Sequence, residues 1–263
     1  MAQLIKLENY VSRYELDIYR YPGQFIRMKR QRWERVKLEH ERVAEAEASS
    51  GENNDFQDPP PAWLKQEFAE DVFLFQLRWA SSTLQERSNL DSKYRFDSWL
   101  KFFLQRFPDN HLFMYRPIFQ IRQAPVELDV VIVGPMSLWC ITLLEGKNGT
   151  VYHGGSRRYW EKIENGRAQH VLSPVVSNAR MSNIVTPLLP RFHGEPLRVR
   201  RVILSPLSYI EYAEAPGIIE IVDRRNAEQW YKRMRNDPSP LKSGQLQTAG
   251  ELLRHCQTVS FER

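Results

Sequence analysis

Two cysteines in 263 residues leave no disulfide framework to build on. Cys140 sits inside an apolar run, Cys256 lies near the end, and no CxxC pair offers a zinc site. The six histidines are scattered, none in an HExxH spacing. Gly146-Lys147 is no phosphate-binding NTPase loop: no glycine stands five residues before Gly146, and Asn148 follows where serine or threonine is needed. His153-Gly154-Gly155 has no GxSxG nucleophile elbow beside it, so a hairpin turn is the simpler assignment. No apolar run approaches the ~18–20 residues of a membrane span. The first ten residues lack the apolar core and small-residue cleavage site of an export signal. The expectation is a cytoplasmic protein with no internal repeat.

Apolar residues (42%) and aromatics (12%) suffice for one domain with appendages or for two small domains. A formal charge of +5 mildly favours acidic partners. The positive charge is concentrated early. Arg27, Lys29, Arg30, Arg32, Arg35 and Lys37 are opposed in that stretch only by Glu34, and Tyr19, Tyr21, Phe25, Met28 and Trp33 interleave with them. Residues 1 to about 45 therefore read as a basic helix. It could lie along a phosphate backbone, recruit a partner protein or an anionic membrane surface, or be an amphipathic helix with a solvated charged face. Residues 46–61 are polar, acidic and end in three prolines, which marks a linker. The expected division is a helical extension with its linker over 1–61 and a main domain over 62–263.

From Ala62 the periodicity is helical, with Leu64, Phe68, Val72, Phe75 and Trp79 on one face. A further helix carries Phe96, Trp99, Leu100, Phe103 and Phe107 and stops at Pro108-Asp109-Asn110. The pattern then changes to short runs rich in Val, Ile, Phe and Trp: His111–Arg122, Val126–Val133 and Leu138–Glu145. Asn148-Gly149 and His153–Ser156 mark turns, and Arg158–Ile163 reads as a strand. A helix over Val175–Leu189, strands over Leu197–Leu204 and Ile218–Val222, and closing helices over Ala227–Arg235 and Gln247–Cys256 complete an α/β order.

The chemistry-bearing stretch is Glu127-Leu-Asp129-Val-Val-Ile-Val-Gly-Pro135, then Leu138-Trp-Cys-Ile-Thr-Leu-Leu-Glu145-Gly-Lys147-Asn148-Gly149. Two apolar strands are joined by a Gly-Pro turn, with an acid at the start of the first and an acid-x-lysine at the end of the second. Strand alternation would point Glu145 and Lys147 the same way, roughly 6–7 Å apart. A hairpin centred near Pro135–Ser137 pairs positions that sum to about 271–274, which sets Asp129 opposite or nearly opposite Glu145. Carboxylates that close repel unless a cation or proton lies between them. Mg²⁺ or Mn²⁺ suits such oxygen donors, and a bound cation activates water and offsets phosphate charge. Lys147 could orient that water or stabilise the transition state. Asp91-Ser92-Lys93 has the same triplet in a polar stretch with no strand around it, and is set aside. An ordinary salt bridge at a sheet edge is the competing assignment. Arg157, Arg158, Arg198 and Arg200 could contact phosphates. Arg198 and Arg200 share one strand face, and an exposed charged face fits them equally.

These two segments resemble the nuclease-related domain family, NERD, of the PD-(D/E)xK restriction-endonuclease-like superfamily. Its pattern runs from an aspartate and apolar strand ending in Gly-Pro to Ile-Glu-x-Lys-Asn-x-Gly. The resemblance covers roughly residues 92–210. It implies an αβββαβ core, metal-dependent cleavage of DNA or RNA, Asp129 and Glu145 as metal ligands, and Lys147 as the catalytic lysine. The family's glutamate in the preceding helix has Asp97 as its nearest counterpart here, which the resemblance implies as a third metal ligand. Its Asn-Pro-x-x-Gln at the next helix is Ser173-Pro174-Val175-Val176-Ser177. A second expectation follows from those replacements: a nuclease-like domain without catalysis, acting as a nucleic-acid or protein binding module.

Overall fold

The computed structural model describes residues 1–48, 61–155, 158–190, 197–212, 219–236 and 239–263, with side chains over 1–43 in the first of these. Its first half contains β1 (Gln3–Leu7), α1 (Tyr21–Ala48), α2 (Ala62–Trp79), α3 (Ser98–Arg106) and β2 (Leu112–Tyr115). There follow β3 (Ile118–Ile121), β4 (Ala124–Glu127), β5 (Val130–Val133), β6 (Ser137–Leu143), β7 (Val151–Gly154), β8 (Tyr159–Glu164) and β9 (Arg167–Leu172). Then come α4 (Pro174–Val185), β10 (Arg198–Ser205), β11 (Tyr209–Tyr212), β12 (Glu220–Asp223), α5 (Ala227–Arg235) and α6 (Ser243–Arg254).

Among the described residues, six strands form the main sheet in the order β1-β2-β5-β6-β10-β12. Strands β2, β5 and β6 are an antiparallel meander. After α4, β10 returns parallel to β6, and β12 lies parallel to β10. The sheet is therefore mixed, and the fold is α/β with helices on both faces. The alternation within the strands explains the two layers. Val130, Ile132, Trp139 and Ile141 pack with Phe103, Phe107, Trp230 and Met234 on the face covered by α3 and α5. Val131, Val133, Leu138 and Cys140 pack on the other face with Phe25, Phe75, Met181, Val185 and Leu252, from α1, α2, α4 and α6. With both faces covered, β5 reads as a continuous apolar run rather than an alternating one. A second sheet, β9-β8-β7-β11, packs through Tyr152, Trp160 and Ile210. The sequence does not mark it as a unit, because β9 is almost entirely exposed and its apolar residues, Ala168, Val171 and Leu172, do not alternate.

The N-terminal arm differs from expectation. Gln3–Leu7 is not helical. It is the edge strand of the main sheet, parallel to β2, with a register irregularity between Leu4 and Lys6. A boundary at residue 61 thus cuts off part of the sheet. The expected linker falls almost wholly outside the described residues. Lys6 is fully buried, and its ammonium donates to Tyr10 O at 2.8 Å, Thr258 Oγ1 at 2.7 Å and the Glu15 carboxylate. Those three acceptors use all three donors of the group. On the outer side, the Leu4 N–H donates to Oε1 of buried Gln76, 2.8 Å away on α2. The basic helix itself starts at Tyr21. Much of its charge is matched within the fold: Lys29 pairs with Asp109, Arg32 with Asp71, and Lys37 with Glu34. Arg27, Arg30 and Arg35 are exposed, as are Leu38 and Val43 further along. Among the described residues no helix is long and apolar enough to cross a membrane.

Removing one partner of a buried pair strands the other charge and typically costs about 3–5 kcal/mol. Lys6→Met should accordingly lower the unfolding free energy by about 3 kcal/mol in a urea titration. A change below about 1 kcal/mol would mean that the ammonium does not tie these segments together.

Candidate active site

The hairpin that carries the acids is closed by the Gly134 N–H donating to Ser137 O at 3.0 Å. Val130 faces Ile141 and Val133 faces Leu138, the short end of the expected register. Continuing it puts Thr142 beside Asp129, so Glu145 lies three residues beyond that partner rather than opposite the aspartate. Strand β6 also ends at Leu143. Glu145, Gly146 and Lys147 consequently belong to the loop that follows, and strand alternation does not govern them. They remain at the same end of the sheet as Asp129, because β5 begins where its antiparallel neighbour β6 finishes.

This loop is held by its backbone. The Leu144 N–H donates to Leu204 O at 3.0 Å, extending the pairing with β10 by one residue. Ser205 Oγ donates to Leu144 O at 2.9 Å, and the Tyr152 hydroxyl donates to Glu145 O at 2.6 Å. The Thr150 N–H donates to Lys147 O at 3.0 Å. Gly146 is required by packing. A Cβ there would stand 2.1 Å from Ser208 Oγ and 3.1 Å from Thr150 Cβ and Cγ2.

Each acid has a distinct environment. Asp129 is half-buried. Burial raises its pKa, as does the charge of Glu127, against the opposing effects of the Leu143 N–H and of Arg116 and Arg180. Glu145 is exposed. Asp97 caps α3, accepting the Leu100 N–H at 2.9 Å, and both its oxygens lie within 3.0 Å of the Tyr115 hydroxyl. Phe96, expected on the same helix, precedes this cap and is exposed.

Arg116 joins these groups and was not singled out from the sequence. Its φ is +48°, and its N–H donates to Asp129 O at 2.7 Å. Burial pulls the guanidinium pKa down, but Tyr115, Asp97, Glu127 and Glu145 together carry it above the ordinary value. One cation thus answers to the acids of three separate segments. The visible signal was a lone arginine between a strand and Pro117, and nothing local marks its partners.

Lys147 is 79% exposed and its Nζ lies 3.9 Å from Glu164, which also takes Lys162 at 3.0 Å and the Thr150 hydroxyl at 3.0 Å. The lysine is thereby turned towards β8, while Glu145 lines a groove against α3 and α5. Of the four arginines, Arg198 and Arg200 lie away from this end. Arg158 is exposed over the Tyr159 ring at 5.8 Å, and Arg157 lies outside the described residues. Arg198 is paired in register with Ser137, at the start of β6. Arg200 Nε lies 3.3 Å from Ser137 Oγ, in a separate pocket with His111 and Trp139. Residues 140–143 of β6 separate Trp139, on the wall of that pocket, from the loop that bears Glu145, roughly 13 Å of strand.

A second group missed in the sequence is Asn178 on the buried face of α4, beside Ser177. Its Nδ2 lies 2.9 Å from Cys140 O, 3.0 Å from Val202 O and 3.2 Å from Thr142 Oγ1. Its Oδ1 accepts from Arg201 Nε at 3.0 Å. An asparagine in register with Met181 and Val185 on an apolar stripe is a signal the sequence did contain.

Asp129 and Glu145 are oxygen donors of the kind a hard divalent cation takes, and a desolvated carboxylate beside a like charge gains from a cation. Among the described residues no three His, Cys, Asp or Glu side chains form a ready metal cage. A cation held here would need water or substrate oxygens to complete its shell.

No family model and no solved structure matches the chain. A protein from Geobacillus stearothermophilus named RNA 2',3'-cyclic phosphodiesterase is 42% identical over 69 residues, 25% of this chain. The matched stretch spans only 22% of that curated relative's length.

Two outcomes follow from this geometry. A folded-state pKa raised above the unfolded value means that ionised Asp129 costs stability above the folded pKa, and that the cost disappears below the unfolded value. Asp129→Asn should therefore raise the melting temperature at neutral pH, the gain fading as the pH falls towards about 4. A variant less stable at pH 7 would contradict this. Gly146→Ala should be destabilising by about 1–3 kcal/mol through overpacking, readable in the same melts. Wild-type stability would disprove the packing role.

Proposed function

We propose that this chain hydrolyses phosphodiester bonds in DNA or RNA with a divalent cation, Mg²⁺ or Mn²⁺, held by Asp129 and Glu145. The observation that carries this is their shared position: one acid opens β5, the other follows β6, and Arg116 senses the field at that end of the sheet. The order α3, β2-β5-β6 meander, α4, parallel β10 is in keeping with the αβββαβ core that the resemblance to NERD implies. The partial relative is named as an RNA 2',3'-cyclic phosphodiesterase, which supports chemistry at phosphorus.

The bound cation would acidify an attacking water and offset charge on the phosphate. The remaining work falls to the chain. Asp129 and Glu145 supply the negative seat, with Asp129 favoured in that role because it is already partly desolvated. Arg116 limits the repulsion among the acids before substrate arrives. Lys147, mostly exposed and only loosely paired with Glu164, is free to turn to a phosphate oxygen or to the attacking water. Asp97 acts through others: it caps α3 and takes the Tyr115 hydroxyl, so its contribution is to positioning.

A second reading is a binding module without catalysis. It is favoured by serine at positions 173 and 177, by the engagement of Asp97, and by the lack of a three-ligand cage among the described residues. One assay separates the two. Purified protein with Mg²⁺ or Mn²⁺ is incubated with single- and double-stranded DNA and RNA and with a nucleoside 2',3'-cyclic phosphate. Cleavage should be abolished by EDTA, and reduced roughly 100-fold or more by Glu145→Ala and by Lys147→Ala. Cleavage that survives Glu145→Ala removes the proposed site. Inactivity on every substrate, with salt-sensitive binding retained, selects the binding module.

A further inference from the structure

The groove beside Glu145 has features that phosphodiester hydrolysis alone does not require. It holds about 490 Å³ and is lined by Trp99, Phe102 and Tyr231 together with Arg106, Arg224 and Glu145. The aromatic groups form one continuous wall. Phe102 and Tyr231 have ring centroids 4.7 Å apart, and Trp99 meets Phe102 edge-on at 6.4 Å. Trp99 and Phe102 are only half-buried, packed against the core cluster of this face.

Tyr231 is the independent observation. It is 3% exposed, lines the groove, and its hydroxyl has no hydrogen-bond partner among the described residues. A buried phenol without a partner forfeits about 1–3 kcal/mol of desolvation. Burial also pushes its pKa up, so at neutral pH the group remains a donor. The site therefore asks for a ligand with a flat face and an acceptor at its edge. The two guanidinium groups ask for an anion beside it. Arg106 has a 4.0 Å, solvent-exposed contact with Glu228 and lies over the Phe102 ring at 5.6 Å, and Arg224 lies over the Tyr209 ring. A contact of the first kind is readily exchanged for a phosphate.

We propose that this groove is a nucleobase pocket, and that the chain takes substrates presenting an unpaired nucleotide there. A base would stack on Trp99 and Phe102, with its edge acceptor on the Tyr231 hydroxyl and its flanking phosphates on Arg106 and Arg224. The next phosphodiester would lie towards Glu145. Base–aromatic stacking tolerates any sequence, because every base has a π face, and a base inside a duplex cannot enter such a slot without leaving the stack. A packed helix from another protein is a poorer occupant: the volume suits one nucleotide, and the rim carries Arg106 and Arg224 beside Glu145 and Glu228 rather than an apolar border. The pocket rests on the phosphodiesterase reading for the identity of its ligand class, but not for its test.

That test is binding without cleavage. Fluorescence anisotropy with the full chain in EDTA compares a short labelled oligonucleotide, single-stranded and annealed to its complement. The single strand should bind roughly ten-fold tighter. Trp99→Ala should remove most of that preference, the order expected for one lost base stack. Tyr231→Phe deletes one hydroxyl and keeps the ring. It should weaken single-strand binding roughly three- to ten-fold while leaving the melting temperature unchanged or higher. Equal affinity for both forms, wild-type binding by both variants, or no binding to any oligonucleotide would each overturn the proposal. Because no divalent cation is present, failure of the cleavage assay leaves this experiment intact. Conversely, metal-dependent cleavage of single strands and duplexes at equal rates would sink the pocket and spare the hydrolase.

Discussion

The carboxamide of Asn178 bonds to both β6 and β10, and the geometry of the acid end follows from it. Cys140 O, Thr142 Oγ1 and Val202 O all converge on one side-chain nitrogen, which fixes α4 over two adjacent strands at once. The amide lies in an otherwise apolar layer, where an unmet polar group costs about 1–3 kcal/mol. Only one relative placement of α4, β6 and β10 satisfies it. That placement determines where β6 ends and how Leu144 continues along β10, and hence where Glu145 emerges. The loop bearing Glu145 and Lys147 is outside regular structure, yet its position is inherited from a buried hydrogen-bond network.

Charge is the second organising theme. At the acid end, Arg116 stands among Asp97, Glu127, Asp129 and Glu145. At the edge of the sheet, Lys6 is wholly enclosed by Tyr10 O, Glu15 and Thr258. The two differ in kind. Lys6 has all its donors matched and nothing left to offer a ligand. Arg116 and Arg180 face four acids at that end, and Asp129 is held above its ordinary pKa first by burial and then by the charge of Glu127. An imbalance of that kind leaves room for a further cation, whereas a balanced buried pair does not.

The helices from Ala62 onward and strands β5, β6 and β10 were legible in the sequence because their periods are strong and their boundaries carry proline, glycine or a capping acid. Strand β1 was not, since Gln3 and Lys6 break the apolar pattern and their compensation comes from residues far along the chain. The hairpin indicated which end of the sheet would carry Asp129 and Glu145. It did not reveal that β6 stops two residues short of the glutamate, because that depends on β10. The two arginines of β10 illustrate the same limit. Their shared exposed face was readable, but which end of the sheet they occupy depends on parallel pairing with β6. Arg116, Tyr115 and Asn178 matter through non-local partners, and only the last left a trace, as an amide on an apolar stripe.

Strand β1 is also the outermost strand of the main sheet, and an unpaired outer strand invites addition of a strand from another molecule. Three details described above obstruct that. The irregularity between Leu4 and Lys6 breaks the flat ladder that an incoming strand would follow. Gln76 already occupies the Leu4 N–H. The enclosed ammonium of Lys6 cannot be shifted to suit a new neighbour without stranding a charge. A sheet rich in valine, isoleucine and phenylalanine is thereby closed to self-association along this border.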